Sequence, residues 1–328
     1  MTKFDQLVAA INSDTVFIQT HNFPDPDAIA SAYGLSVLLE TRGIKSTIIY
    51  SGLIDRANTQ KMVNMLNIPL VQVANILPLS PSDRVILVDC QFGNTNVITT
   101  GAMSDICVDH HPSTHEGFYS FSDIRPEMGS CTSIVASYFF ENDVLINSDV
   151  AAALLYGIKI DTANLTRKVS QTDLDMFYKL YPIADNEKLH NIEHNVLEIE
   201  DLYAYSSAIN SIKITDIFSF AEAPANCPEA LIATISDFML ALSDIHLSVV
   251  LSNKTDGIRL SVRSDDSALD SGVICTMALN GIGNGGGHAS MAGGFVPLNP
   301  DTDPNEMIAS IEKRFIAAYQ HINENIIK

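Results

Sequence analysis

The chain has 328 residues, 46% of them hydrophobic and 18% charged, which suits a folded protein of two domains with sizeable cores. Its 39 acidic residues outnumber 19 basic ones and leave a net charge of −20. That balance excludes long nucleic acids as partners, since affinity for them rests mostly on neutralising phosphates.

No charged-then-apolar leader and no apolar run of about 18 residues is found, so no membrane partner is expected, and the expected setting is cytoplasmic. Cys90, Cys107, Cys131, Cys227 and Cys275 are scattered without a C-x-x-C pair and read as buried free thiols.

In chain order, "TVFIQT" (15–20) predicts a strand and "DAIASAYGLSVLLETRG" (27–43) a helix capped by Asp27 and closed by Gly43. "KSTIIYS" (45–51) predicts a strand, "DRANTQKMVNML" (55–66) a helix, and "DRVILVDC" (83–90) and "DICVDHH" (105–111) two more strands. Strands that are apolar throughout and separated by helices indicate a doubly wound, mainly parallel α/β sheet covered on both faces. Helical patterns follow at 129–143, 148–165 and 170–181. The character turns polar near 182–200, which places a boundary there. The expected division is a catalytic domain at 1–185, a linker running into a helix at 186–210, and a smaller mixed-sheet α/β domain at 211–328. The second domain reads as strand, helix, hairpin (245–264), helix, glycine-rich loop, strand and terminal helix.

Four separated segments carry metal-ligand chemistry. His21, Asp25 and Asp27 follow the first strand, Asp89 ends the strand at 83–90, and Asp109, His110 and His111 end the next. Asp161 ends an apolar helix. Strand ends of one polarity gather on one edge of a parallel sheet, where open α/β sheets keep their sites. Alone, Asp27 reads as a helix cap, Asp25 as a turn residue and His21 as a surface histidine. Together, four carboxylates would bear about −4, too much to desolvate unpaired. Two divalent cations would balance that charge, and six ligands suffice for two ions if Asp89 and Asp161 each bridge both. Carboxylate and imidazole ligands without thiolate favour Mn²⁺ or a similar ion.

The stretches "HNFPDPDA", "VDC", "VDHH" and "GIKIDT" resemble the four motifs of the DHH phosphoesterases, and "GNGGGHASMAGG" (283–294) resembles the signature of the associated DHHA1 domain. The pattern is most similar to the nano-RNase and 3′-phosphoadenosine-5′-phosphate (pAp) phosphatase group. The resemblance implies two manganese ions, with His21 and Asp25 on one, Asp27 and His110 on the other, and Asp89 and Asp161 bridging. It places His111 near the substrate phosphate and implies that Asp109 orients His110. Three departures stand out: Pro26 at a position where a small residue is usual, no glycine after Asp161-Thr162, and Asn284 in place of one glycine. A homodimer is expected from the resemblance alone.

In the second domain, the glycines Gly285, Gly286 and Gly287 suit backbone approach to an anion, and His288 suits donation to phosphate. The run into Ala289-Ser290-Met291 predicts a helix N-terminus there. Arg263 in "LSVRS" suits a phosphate or a base, while Arg259 reads equally well as a solvated strand residue. These features together predict an active-site cleft between the domains. The expected activity is hydrolysis of very short oligoribonucleotides or linear dinucleotides such as pGpG or pApA to mononucleotides. Hydrolysis of pAp, pyrophosphate or short polyphosphate is the alternative. A non-catalytic nucleotide-binding regulator would lack a ligand, and all six candidates are present.

Overall fold

The computed structural model describes all residues except 55, 77, 113–117, 195–196, 267–268, 300 and 327–328, and the side chains at 323–326. Asp55, the first residue of an expected helix, and residues 195–196 of the expected linker lie outside the described residues. The chain divides into two compact units, Met1–Val196 and Leu197–Lys328.

The first unit runs α1 (Lys3–Ile11), β1 (Thr15–Gln19), α2 (Pro26–Glu40), β2 (Lys45–Tyr50), α3 (Ala57–Met65) and β3 (Leu70–Gln72). It continues with β4 (Arg84–Val88), β5 (Met103–Asp109), β6 (Phe121–Ile124), α4 (Cys131–Glu141), α5 (Ser148–Asp161), α6 (Gln171–Leu180) and α7 (Asn186–Glu193). Its sheet has the order β3-β2-β1-β4-β5-β6, and every pairing is parallel. The chain leaves β1 towards β2 on one side and later returns to β4 on the other. The gap between the carboxyl ends of β1 and β4 is therefore a switch point, the ligand position of open α/β sheets.

β4 is buried from Val85 to Val88, as a strand covered on both faces must be. Helices α2, α4 and α5 are apolar nearly all round and buried accordingly, with Val150 to Ile158 of α5 enclosed without a break. Residues 186–193, expected in a linker, form α7 instead. Leu189 and Ile192 bury one face of that helix in the first unit's core, while its other positions keep the polar character that suggested a linker.

The second unit runs α8 (Asp201–Ser211), β7 (Lys213–Thr215), β8 (Phe218–Ala223), α9 (Glu229–Leu240), β9 (Leu247–Lys254) and β10 (Gly257–Ser264). It ends with α10 (Ser271–Leu279), β11 (Asn284–Gly287), β12 (Met291–Pro297) and α11 (Pro304–Ile326). The sheet order is β11-β12-β10-β9-β8-β7, antiparallel except between β8 and β9.

The expected glycine-rich loop is a β11–β12 hairpin, and the run Ala289-Ser290-Met291 leads into β12 instead of opening a helix. The amides that open α10 are already taken: Ser271 donates to the Ala289 carbonyl, Gly272 to the His288 carbonyl, and Val273 to Asp270 Oδ1. The predicted helix-end anion site is thus replaced by a hairpin tied to α10. Gly287 has a φ of +152°, and a Cβ there would sit 2.4 Å from the Met291 carbonyl oxygen, so the hairpin bend requires glycine.

Candidate metal centre

The switch point gathers the motif residues. Just past β1, His21 turns its ring so that Nδ1 faces the Asn22 carbonyl at 2.9 Å. Its Nε2 then lies 3.9 Å from Asp25 Oδ1 and 3.7 Å from Asp89 Oδ2. Asp89 directly follows β4 with a φ of +57°, a left-handed backbone that costs a non-glycine residue energy and is typical of constrained sites.

Past β5, His110 places Nδ1 at 3.3 Å from the Met128 carbonyl. That leaves Nε2 at 3.3 Å from Asp89 Oδ1, 3.2 Å from Asp161 Oδ2 and 3.9 Å from Asp27 Oδ2. Asp89 therefore turns Oδ2 towards His21 and Oδ1 towards His110 and, at 3.7 Å, His111 Nδ1. Three overlapping sets have ligand atoms mutually within 4.8 Å: His21, Asp25 and Asp89; Asp27, His110 and Asp161; and Asp89, His110 and His111. Asp161 belongs to one set only, whereas Asp89 joins two, one with His21 and one with His110 and His111.

The helix cap is one residue pair earlier than expected. Asp25, not Asp27, caps α2, its Oδ1 accepting from the Ala28 amide at 3.0 Å, with Pro26 in the first turn. Asp27 is fully buried and caps a different helix, α4. Its Oδ2 accepts from the Cys131 amide at 2.7 Å, and its Oδ1 from the Thr132 amide at 2.9 Å and the Thr132 hydroxyl at 2.6 Å. The positive end of α4 thereby holds a carboxylate at the centre.

Asp109 also differs from expectation. Its Oδ1 accepts from His111 Nδ1 at 2.9 Å and from the His110 amide at 2.7 Å, so it orients the ring of His111 rather than that of His110. Gln91 locks the other oxygen, Nε2 donating to Asp109 Oδ2 at 2.7 Å and to the His111 carbonyl at 3.1 Å. Gln91, Thr132 and the Met128 carbonyl escape a reading based on ligand types, because each acts on a ligand from elsewhere in the sequence.

The electrostatics fit a cation site. Burial, then the charges of Asp89 and Asp161, push the Asp27 carboxyl well above the usual range. Burial lifts Asp89 to about 6. Burial opposes charging of the histidines, yet hydrogen bonds and charges from the carboxylates outweigh it, carrying His21 to about 10 and His110 to about 12. The Asp109 hydrogen bond raises His111. Asp89 Oδ1 and His110 Nε2 are buried without a well-formed hydrogen bond, an arrangement that costs energy unless a further group meets them. Carboxylate oxygens and imidazole nitrogens without thiolate are donors for a divalent ion such as Mn²⁺.

In the second unit, Arg263 and Gly285 line a groove of about 560 Å³ together with Glu229, Arg259, Asn284 and Phe295. Arg263 Nε donates to Asp237 Oδ1 at 2.7 Å, and the Arg259 guanidinium lies 4.3 Å from the centre of the Phe295 ring. Arg259 is thus engaged rather than solvated. Gly286 and His288 do not line this groove, and Gly287 lines a separate hollow with Asp270, Gly272 and Thr276. Gly285 also answers a packing need, since a Cβ there would sit 2.6 Å from Cys275 Sγ on α10.

No described helix is long and apolar enough to cross a membrane. Uncharacterized protein MJ1633 of Methanocaldococcus jannaschii is 31% identical over 284 residues, covering 86% of this chain and 58% of that protein. A probable manganese-dependent inorganic pyrophosphatase of Streptococcus thermophilus is 26% identical over 281 residues, covering 74% of this chain and 88% of that one. A probable bifunctional oligoribonuclease and PAP phosphatase of Streptococcus mutans is 29% identical over 167 residues, covering 49% of this chain and 50% of that one. The chain thus spans 58% of the length of the first of these relatives and 50% of the third. An exopolyphosphatase-related protein from Bacteroides fragilis shares the fold, with a TM-score of 0.76 at 16% identity, over 98% of this chain and 96% of that one. The model of the DHH family N-terminal domain matches residues 15–158, the stretch that carries His21, Asp25, Asp27, Asp89, His110 and His111. Over that stretch, the N-terminal unit is similar to the DHH family N-terminal domain.

Proposed function

We propose that the first unit holds two divalent cations, Mn²⁺ foremost, and hydrolyses phosphate esters of very short nucleotides. The observation that carries this reading is that Asp89 turns Oδ2 to His21 and Oδ1 to His110 and His111, with Asp89 Oδ1 and His110 Nε2 buried and without a well-formed hydrogen bond. His21, Asp25 and Asp89 would hold one ion, and Asp27, His110, Asp161 and Asp89 the other. Two such ions, when bound, supply a clamp on phosphoryl oxygens and a water of lowered pKa.

The protein's own groups do the rest. Asp109 keeps His111 Nδ1 engaged, so its other ring nitrogen is the one that can meet substrate. The hydrogen bond to Asp109 raises His111 and so favours its charged form, whose second nitrogen is suited to stabilising phosphoryl charge or to giving a proton to the departing oxygen. Within the second unit, Arg263 and Gly285 line a groove suited to a phosphate or a base, while Gly286, Gly287 and His288 lie outside it and would bind an anion only separately.

The test is turnover with Mn²⁺ across pGpG, pApA, longer oligoribonucleotides, pAp and pyrophosphate. Mononucleotide release from the dinucleotides, lost in Asp89→Asn, supports the reading. Asparagine tolerates the left-handed backbone at residue 89, so this variant removes charge without adding strain. Metal-loaded protein that releases nothing from any nucleotide would overturn it, and turnover of pyrophosphate alone would reassign the substrate.

A further inference from the structure

Near the metal edge, two large apolar side chains stand partly in solvent. Phe92 is 36% exposed and Phe118 45% exposed, yet their rings stack on each other with centroids 4.4 Å apart and planes 12° from parallel. Exposed aromatics are ordinary when single. A stacked pair held in place by polar contacts is a built surface.

The anchors of the pair run straight into the metal centre. Phe92 is three residues past Asp89, so at most about 11 Å separates their Cα atoms. Between them, Gln91 donates to Asp109, to the His111 carbonyl and to the Pro112 carbonyl. The Phe92 amide donates to the Tyr119 hydroxyl at 3.0 Å, and Tyr119 meets Phe118 edge to face at 5.4 Å. The carboxylate that orients His111 is thus tied through Gln91 to the backbone that presents Phe92. In a chain of charge −20, a flat apolar face also offers affinity that needs no phosphate neutralisation.

We propose that the Phe92–Phe118 pair is a stacking platform for a nucleobase of the substrate, on the His111 side of the metal edge. This deepens the proposed function and rests on it: the platform selects esters that carry a base over pyrophosphate and polyphosphate, which have none. Stacking tolerates every base, so the selection is for a nucleotide rather than for one sequence.

Two measurements test this. First, turnover of pApA is compared with the same dinucleotide carrying one abasic residue. The expected preference for the base-bearing ester is roughly ten-fold or more in kcat/KM, and it collapses towards unity in Phe118→Ala. Second, the chain contains no tryptophan, so Phe118→Trp gives a sole indole whose fluorescence reports contact. With Mg²⁺ present, AMP should quench it saturably while ribose 5-phosphate does not. Phe92→Trp serves if that variant fails to fold. An active wild-type enzyme indifferent to the missing base would overturn the platform and leave the proposed function standing. An enzyme inactive on every ester defeats the proposed function instead, and the fluorescence titration then decides the platform alone. Equal quenching by AMP and ribose 5-phosphate, or none by either, sinks it.

Discussion

At the scale of the residue, the centre is governed by what each ligand's second hand holds. Asp25 caps α2, Asp27 caps α4, and the outer nitrogens of His21 and His110 face carbonyls. Each side chain is thereby aimed before any ion arrives, which is how outer partners tune a metal site. Asp109 carries this furthest, since it orients a histidine that is not needed to complete either main ligand set. In Asp109→Asn, Mn²⁺ content should stay near that of the wild type while kcat falls about 10- to 100-fold. The sign of the pH effect also follows. The Asp109 carboxylate raises His111, and a required proton donor works only below its pKa. The basic limb of the pH–rate profile should therefore shift to lower pH in the variant, and an unshifted limb would remove His111 from the proton-donating role.

At the scale of the element, a tight constraint on the centre lies where α5 crosses the loop and first turn that hold Asp27. A Cβ on Gly157 would sit 2.5 Å from Thr132 Cγ2 and 3.3 Å from Asp27 Cα. Gly157→Ala should displace Thr132, cost roughly 1–3 kcal/mol of stability by overpacking, and weaken Mn²⁺ binding about ten-fold or more. Thermal unfolding and a metal titration check the two effects separately. Gly157 also shows what a sequence hides: its role is set by residues 25 positions upstream and farther, and only packing reveals it. Strands β1, β4 and β5 were legible because uninterrupted apolar runs at that length have few alternatives. Strands β3 (Leu70–Gln72) and β6 (Phe121–Ile124) are too short to carry a pattern, and they form by pairing with longer neighbours. The glycines of β11 have no strand preference of their own, so that strand depends on β12 and α10. The six metal-ligand candidates were legible by type and order, whereas the choice of Asp25 over Asp27 as the α2 cap depended on where α4 would lie.

At the scale of the whole molecule, the concentrated acid of the centre and the charge of −20 point in one direction. A folded state that gathers Asp25, Asp27, Asp89 and Asp161 is opposed by their repulsion unless protons or cations enter. Without metal, the raised histidines and Asp27 supply those protons, so Mn²⁺ must displace them and should bind more tightly as pH rises. Chelation should lower the unfolding temperature of the protein. The stabilisation regained on adding Mn²⁺ at 100 times its Kd should be about 2.7 kcal/mol for each site, by mass action. Calorimetry in buffers of different ionisation enthalpy reads the released protons directly.

The ligands also come from widely spaced positions, between His21 and Asp161, and from the ends of three separate strands, the start of α2 and the end of α5. None of the three-residue sets lies within one hairpin or one turn, and the set that joins Asp27, His110 and Asp161 spans most of the unit. An ion cannot gather these residues before β1, β4 and β5 are already side by side. The metal is therefore a late arrival in the life of the chain, a tenant of finished architecture rather than its mould. Refolding from denaturant should proceed at the same rate with or without Mn²⁺, while unfolding alone slows when the ion is present.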